Sequence, residues 1–415
     1  MRFNREIVKV AEAQQRVRPY IRTGKTEKVA LLDSFGRYLA EDIRANEPLP
    51  HFRRSGMDGF AIRSADTKGA SRDNPVWFQV IETIPCGSVP EKDVQPGTAS
   101  RIMTGAAVPN GADAVVMLEM TRTEERDGQV FISVSREIPP GHNITPVGSE
   151  VEQGKLLLEK GRKINAGAAA LLATFGYAEV EVYKRPRVAV FATGSELLDV
   201  ESPLQPGKIR NSNSYLLASL LLDAGACPLI HKTLPDDPDR AQAAILAAFD
   251  EADLVITTGG VSVGDYDILV DIFERWDGRM LFNKVAMRPG SPTTVGIWKD
   301  KFLFALSGNP GACFVGFELF VRPVLKGMQG KADPDLPYFT ATMAEDFTTP
   351  CPFERFVRAY RYVTDGKVFV KPAGMEKSSI TLTIKDTDCL IVVPPGGRGV
   401  LAGDQVKVIS LAEWE

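Results

Sequence analysis

The residues best suited to chemistry gather in Asp253-Leu-Val-Ile-Thr-Thr-Gly-Gly-Val-Ser-Val-Gly-Asp-Tyr-Asp267. Gly259, Gly260 and Gly264, with Ser262 between them, permit a tight turn that brings backbone N–H groups close to a ligand. Asp265 and Asp267 follow where a helix is predicted to begin. Backbone donors beside paired carboxylates suit a phosphate held through a divalent metal. A plainer reading also fits: a strand–turn–helix corner whose glycines only make the turn and whose aspartate caps the helix. The stretch alone does not choose between them.

Comparable groups recur after other apolar runs. They are Thr193-Gly-Ser-Glu196, Asp236-Asp237, Lys284 with Arg288, and Ser307-Gly-Asn309. In an open α/β sheet, ligands sit beyond the carboxyl ends of the strands. If these ends share one rim, Glu196, Asp236 and Asp267 would hold Mg²⁺, while Lys284 and Arg288 would face anionic oxygens. Gly259, Gly260, Ser262, Gly264, Ser307 and Asn309 would cradle the ligand. Transfer at a phosphoryl centre asks for charge neutralisation and positioning more than for a strong nucleophile. Taken singly, each carboxylate reads as a cap or a solvated side chain, so the weight lies in their recurrence at strand ends. Asp58, in Ser55-Gly-Met-Asp58-Gly, reads alone as an Asx turn. Arg101-Ile-Met-Thr104-Gly adds a second polar turn, with Asp113 nearby, and Glu150 is the acidic residue of a later loop. Arg355, Arg358 and Ser378-Ser379 are further anion-binding candidates, although most arginines on a small barrel are surface charge.

Composition removes other chemistries. The chain has 415 residues, 44% hydrophobic and 25% charged, as expected of a soluble protein with several domains. A net charge of −4 argues against nucleic acid as the main partner. No apolar run reaches membrane-spanning length, and Met-Arg-Phe-Asn-Arg-Glu lacks a signal-peptide core, so a cytoplasmic protein without membrane contact is expected. The five cysteines are scattered and never in a CxxC pair, which suits a reducing compartment and gives no zinc site. The three histidines, His51, His142 and His231, are too dispersed for a metal centre or a catalytic triad.

The elements that must position these residues follow from the apolar spacing. Residues Ile7 to Ala45 have a helical pattern in two segments broken at Arg-Thr-Gly-Lys-Thr. Prolines after Asn46 mark a boundary, and short strands at Trp77–Ile81, Ala114–Leu118 and Val130–Val134 predict an inserted β domain. A helix from Ala166 to Phe175 is predicted to pack back against the opening helices. From Arg185 to Met328 strands and helices alternate as in a doubly wound α/β domain. Its predicted helices include Tyr215–Ala224 ending at Gly225, one capped by Asp237 with Pro238 first, Asp267–Trp276, and one opened by Asn309 and Pro310. After a Lys-Ala-Asp-Pro-Asp-Leu-Pro linker, Phe339 to Val408 read as a small β-barrel. The expected domains are residues 1–45 with 141–183, 46–140, 184–330 and 331–415.

Taken together, these motifs resemble the molybdopterin molybdenumtransferase (MoeA) family, which includes the C-terminal domain of gephyrin. The resemblance spans essentially the whole chain. It rests on Ser55-Gly-Met-Asp-Gly-Phe-Ala-Ile-Arg63, Arg101-Ile-Met-Thr-Gly-Ala, Gly111-Ala-Asp-Ala-Val-Val, Arg185-Pro-Arg-Val-Ala-Val-Phe-Ala-Thr-Gly-Ser-Glu-Leu, Gly259–Asp267 and Ser307-Gly-Asn-Pro, in that order. It implies insertion of molybdate into adenylylated molybdopterin with release of AMP, dependent on Mg²⁺. It also implies a homodimer whose active site lies between the α/β domain of one subunit and the inserted β domain of the other. A molybdopterin adenylyltransferase is a candidate partner. Asp58 and Thr104 would be the inserted domain's contribution, Glu196, Asp236 and Asp267 the acidic cluster, and Lys284 and Arg288 the cationic positions. Arg358 and Ser378 match positions tied to molybdate. The sequence departs from the family at Arg288 and Ser291, where lysines are usual, at Ser149-Glu150, at Ser307, and at Glu376, where glutamine is usual. Two alternatives are a molybdopterin adenylyltransferase, which usually lacks the flanking domains, and a gephyrin-like scaffold, for which no receptor groove is legible.

Overall fold

Helical spacing at the start of the chain holds only over α1 (Val10–Val17), which buries Val10, Ala13 and Val17. The second helix predicted towards Ala45 is instead strand β1 (Thr26–Ala30) followed by a 3₁₀ turn at Leu31–Ser34. The run Val29 to Leu32 imitates a helix stripe, but Leu32 is 92% exposed, so no apolar face exists there to bury. β1 pairs antiparallel with Glu179–Tyr183. The computed structural model describes residues 6–235, 237–260, 269, 272–273 and 277–411. They fall into two units. One runs to Glu41, from Lys160 to Ala169 and from Ala178 onward; the other holds Asp42–Glu159 and Ala170–Tyr177.

The second unit carries six strands, β2 (Gly59–Ile62), β3 (Val76–Ile84), β4 (Thr98–Ile102), β5 (Ala114–Met117), β6 (Thr121–Arg126) and β7 (Gln129–Val134), in one sheet of order β5-β2-β4-β3-β7-β6. Strand side chains alternate between faces, and here both faces of β2 are covered. Phe60 and Ile62 join a core with Phe78 and Ile132, while Ala61 joins Ile84, Ile102 and Val115.

Helix α2 (Ala166–Thr174) and β8 (Glu179–Tyr183) lead back into the first unit. There follow β9 (Arg187–Ala192), α3 (Asn213–Asp223), β10 (Cys227–Ile230), α4 (Pro238–Glu251), β11 (Leu254–Thr258), β12 (Arg279–Phe282), β13 (Thr294–Trp298) and β14 (Lys301–Leu306). The sheet order is β10-β9-β11-β14-β13-β12. β10, β9, β11 and β14 are mutually parallel, and β13 is antiparallel to both of its neighbours. Helices cover both faces, as alternation along β9 demonstrates. Val188 and Val190 pack with Leu217 and Leu221 of α3, whereas Ala189 and Phe191 pack with Ile245 and Phe249 of α4. The Asp237 cap forms as expected, its carboxylate accepting from Arg240 N at 2.8 Å with Pro238 in the first turn. The helix expected over Asp267–Trp276 lies largely outside the described residues, although Leu269, Ile272 and Phe273 join the second of these cores.

Helix α5 (Pro310–Gly316) continues through a buried π-type turn at Phe317–Val321 into α6 (Arg322–Met328). Arg322 donates to Glu318 at 2.8 Å and to Asp223 of α3 at 2.8 Å, tying the two helices together. The last segment forms β15 (Tyr338–Met343), β16 (Glu354–Thr364), β17 (Lys367–Pro372), β18 (Cys389–Val393) and β19 (Gln405–Ser410). They close as β16-β17-β15-β19-β18-β16, a five-stranded barrel. Met343, Val357, Val370 and Ile391 fill one barrel core, while Phe356, Leu390, Val392 and Ile409 join the core of α3, α5 and α6. Among the described residues, no helix is long and apolar enough to cross a membrane.

Candidate functional site

β12 is antiparallel to β13, which is antiparallel to β14, so β12 runs in the same direction as the four parallel strands. The segments that follow β9, β10, β11, β12 and β14 therefore emerge at one edge of the sheet. A cavity of about 910 Å³ opens there, bounded on its other side by residues of the barrel segment. Glu196, Gly259, Gly260, Lys284, Arg288, Ser307, Asn309 and Ser378 all line it. Asp236, Ser262, Gly264, Asp265 and Asp267 lie outside the described residues.

A polar floor holds the glycine turns together. Gly259 N donates to the Leu306 carbonyl at 3.0 Å, and Thr258 Oγ1 to the Ser307 carbonyl at 3.1 Å. Asn213, at the start of α3, donates to Thr258 Oγ1 and to the Gly308 carbonyl, both at 2.8 Å. Sequence reading missed Asn213, because an asparagine opening a helix reads as a cap, and its partners are far away in the chain. Gly259 has φ +92°, and a Cβ there would stand 2.6 Å from Thr193 Oγ1. Glycine is thus required by close approach as well as by conformation. At Gly194, φ +131°, a Cβ would collide with the Glu196 carboxylate folded back over it.

The cations are set by a compact loop. Ser291 Oγ donates to the Val285 carbonyl at 2.7 Å and Thr293 Oγ1 to the Gly290 carbonyl at 2.7 Å, closing the neck of the segment that carries Arg288. Met287–Arg288 pairs parallel with β16, placing Arg288 in register with Arg355. Ser291, where the family resemblance puts a lysine, is buried and serves this neck. Among the described residues the lining carries three cations, Lys284, Arg288 and Arg355, against two carboxylates, Glu196 and Glu376. Such a cavity attracts anions. Behind the floor, burial pushes the Cys313 thiol up to about 12, despite its hydrogen bond to Thr258.

Two residues sit otherwise than their sequence surroundings suggest. Arg358 is not on the cavity surface. It is fully buried on the barrel face that packs against Gly311, with Nη2 bonded to the Lys377 carbonyl at 3.0 Å. Even positions of β16, such as Phe356 and Arg358, face that packing surface and odd ones, such as Val357, fill the barrel core, while Arg355, near the start of the strand, lines the cavity. Nor does Asp58 make a local Asx turn. Its Oδ1 accepts from Thr104 N at 2.7 Å and from Thr104 Oγ1 at 2.8 Å, because β2 and β4 are neighbours in the second unit's sheet. These two bonds, the backbone one first, hold the Asp58 carboxyl below the ordinary range. Asp113 and Glu150 have structural partners in the same unit. Asp113 accepts from Ser64 N and Oγ at 2.6 and 2.7 Å, and Glu150 pairs with Arg54.

A doubly wound sheet with a glycine-lined cavity at its carboxyl edge, rich in cations among the described residues, defines an α/β protein whose cavity suits anions. Residues 8–176, 189–327 and 340–411 match, in turn, the families described as MoeA N-terminal region (domain I and II), probable molybdopterin binding domain, and MoeA C-terminal region (domain IV). The chain is 48% identical over 406 residues to the molybdopterin molybdenumtransferase of Bacillus subtilis (strain 168), covering 98% of this chain and 94% of that protein. It is 47% identical to the protein of that name from Staphylococcus aureus (strain MRSA252), covering 98% and 96%. Among solved structures, the molybdopterin biosynthesis moeA protein of Pyrococcus horikoshii OT3 superposes with a TM-score of 0.81 at 31% identity, covering 98% of this chain and 100% of that one. The chain belongs to the molybdopterin molybdenumtransferase family, enzymes of molybdenum cofactor biosynthesis.

Proposed function

We propose that this chain inserts molybdate into the dithiolene of adenylylated molybdopterin with release of AMP, in a reaction that depends on Mg²⁺. The observation that carries the reading is the convergence of glycine turns, three cations and Glu196 in one cavity at the carboxyl edge of the sheet. Lys284, Arg288 and Arg355 draw the oxyanion and the substrate's phosphates. Gly259, whose own N–H is held by the Leu306 carbonyl, lets the turn approach closely, the Gly260 N–H donates to a phosphate oxygen, and Ser307 and Asn309 orient the group. Glu196, with Asp236 and Asp267, would hold the Mg²⁺. Glu196 offers hard carboxylate oxygens at the cavity wall, the donor chemistry that Mg²⁺ prefers. When bound, the ion neutralises charge developing on the departing AMP phosphate. Family resemblance supports a cytoplasmic homodimer, with Asp58 and Thr104 completing each site from the other subunit, and a molybdopterin adenylyltransferase supplying the substrate. The test is molybdate-dependent AMP release from adenylylated molybdopterin by the purified protein, with and without Mg²⁺. Asp267→Asn is expected to stay folded and lose that release. Wild-type turnover in the variant would refute its role, and no binding of the adenylylated pterin in either condition would favour a non-catalytic scaffold.

A further inference from the structure

The buried Arg358 is under-satisfied. Its Nη1 and Nε have no hydrogen-bond partner, and Nη2 has the Lys377 carbonyl at 3.0 Å and Glu376 Oε2 at 3.2 Å. That Glu376 oxygen is itself left without a hydrogen bond, so the two side chains are paired by charge without good alignment. The guanidinium lies on the bare backbone of Gly311, where any Cβ would strike Nη1. Gly311 N donates to the Ser378 carbonyl at 2.9 Å, which pins the loop carrying Glu376 and Ser378 across the same spot. Both residues line the cavity. A buried guanidinium usually has its donors filled by acceptors. Here those donors stand idle behind a carboxylate that faces an anion-attracting cavity.

We infer that Glu376 is a counter-ion latch on Arg358, displaced by an incoming tetrahedral oxyanion as its carboxyl takes up a proton. This deepens the proposed function and rests on it, since molybdate is the oxyanion that the reading supplies. An oxyanion and an ionised Glu376 would compete for one guanidinium, and two adjacent buried anions repel. Protonating the carboxyl removes the competitor. Burial already pushes Glu376 up, with Arg358 and Arg355 opposing that push. Among the described residues, the charged groups it meets are Arg358, paired with it at 3.2 Å, and Arg355, Lys284, Arg288 and Glu196, which line the same cavity. The arginines keep their charge throughout the working range. Oxyanion affinity should therefore rise as pH falls and weaken as pH rises. A glutamine, the residue that family resemblance expects here, cannot take up that proton.

The test is calorimetric titration with sodium molybdate between about pH 6 and about pH 8.5, in buffers of different ionisation enthalpy. The wild-type protein should lose affinity by up to about tenfold per pH unit and take up about one proton per oxyanion bound. Glu376→Gln should bind at least about tenfold more tightly at the alkaline end, with a flat profile and no uptake from this group. Glu376→Asp keeps a titratable carboxyl and should keep the slope, so a flat Glu376→Asp profile would overturn the latch even if the glutamine variant does not fold. A Glu376→Gln protein with the wild-type slope and proton uptake would overturn it while leaving the transferase reading intact. Absence of molybdate binding in every protein would bring down both.

Discussion

Asp58 shows how much of the chemistry here depends on partners that are distant in sequence. One oxygen of its carboxylate, Oδ1, accepts twice from one residue, Thr104, through a main-chain donor and a hydroxyl. A carboxyl depressed in this way supports the folded turn above its unfolded pKa, and that support fades as pH falls through the folded value. Thr104→Ala removes only the hydroxyl. The Asp58 midpoint, followed by carboxyl NMR across an acid titration, should rise part of the way to the ordinary value, because the larger contribution comes from the retained backbone bond. An unchanged midpoint would mean that the hydroxyl does nothing for the charge. Sequence reading selected Asp58 and Thr104 as separate turns and could not see the bond between them. The partner is set by strand order, which no local pattern encodes. The same holds for Arg358, whose period-two position on β16 turns it into the packing surface, while Arg355 near the start of the strand lines the cavity.

The glycine turns at the strand ends carry the next scale, because their positions decide whether the rim can close. Gly259 and Gly207 have similar conformations, with φ +92° and +75°, but different surroundings. A Cβ at Gly207 meets nothing within 4 Å, whereas at Gly259 it would press on the side chain and carbonyl of Thr193. Gly207→Ala should therefore cost about 1–2 kcal/mol, the conformational penalty alone. Gly259→Ala should exceed that in a urea melt and should also depress AMP release, since the turn must shift out of the cavity wall. Equal losses for the two would show that contact with Thr193 does not matter. The α/β elements were legible because glycines, prolines and an Asp-Pro cap punctuate β-branched runs between Arg187 and Leu306. β1 was not, because four consecutive apolar residues, Val29 to Leu32, fit a helix stripe as well as a strand running into a turn. Only pairing with β8 settles the matter, and that pairing lies far along the chain.

For the whole molecule, the ordering of weak motifs identified what no single motif could. The family-wide likeness runs from residue 8 to residue 411. Asn213 stayed hidden, since a helix-opening asparagine carries no chemical signature until its neighbours are assembled. The reading then makes one demand on the molecule as an assembly. If each active site combines Asp58 and Thr104 of one subunit with Lys284 and Glu196 of the other, no subunit is sufficient alone. Asp58→Ala and Lys284→Ala should each lose molybdate-dependent AMP release while staying folded, with Asp58→Ala melting slightly lower because Thr104 loses its partner. Mixed, unfolded together and refolded, they should regain about a quarter of wild-type activity, because half of the dimers are mixed and each of those has one intact site. Activity should fall on dilution as the dimer dissociates, in step with the mass measured by sedimentation. A mixture no more active than its components would place Asp58 and Lys284 in the same subunit's site, and a fully active monomer would remove the shared site altogether.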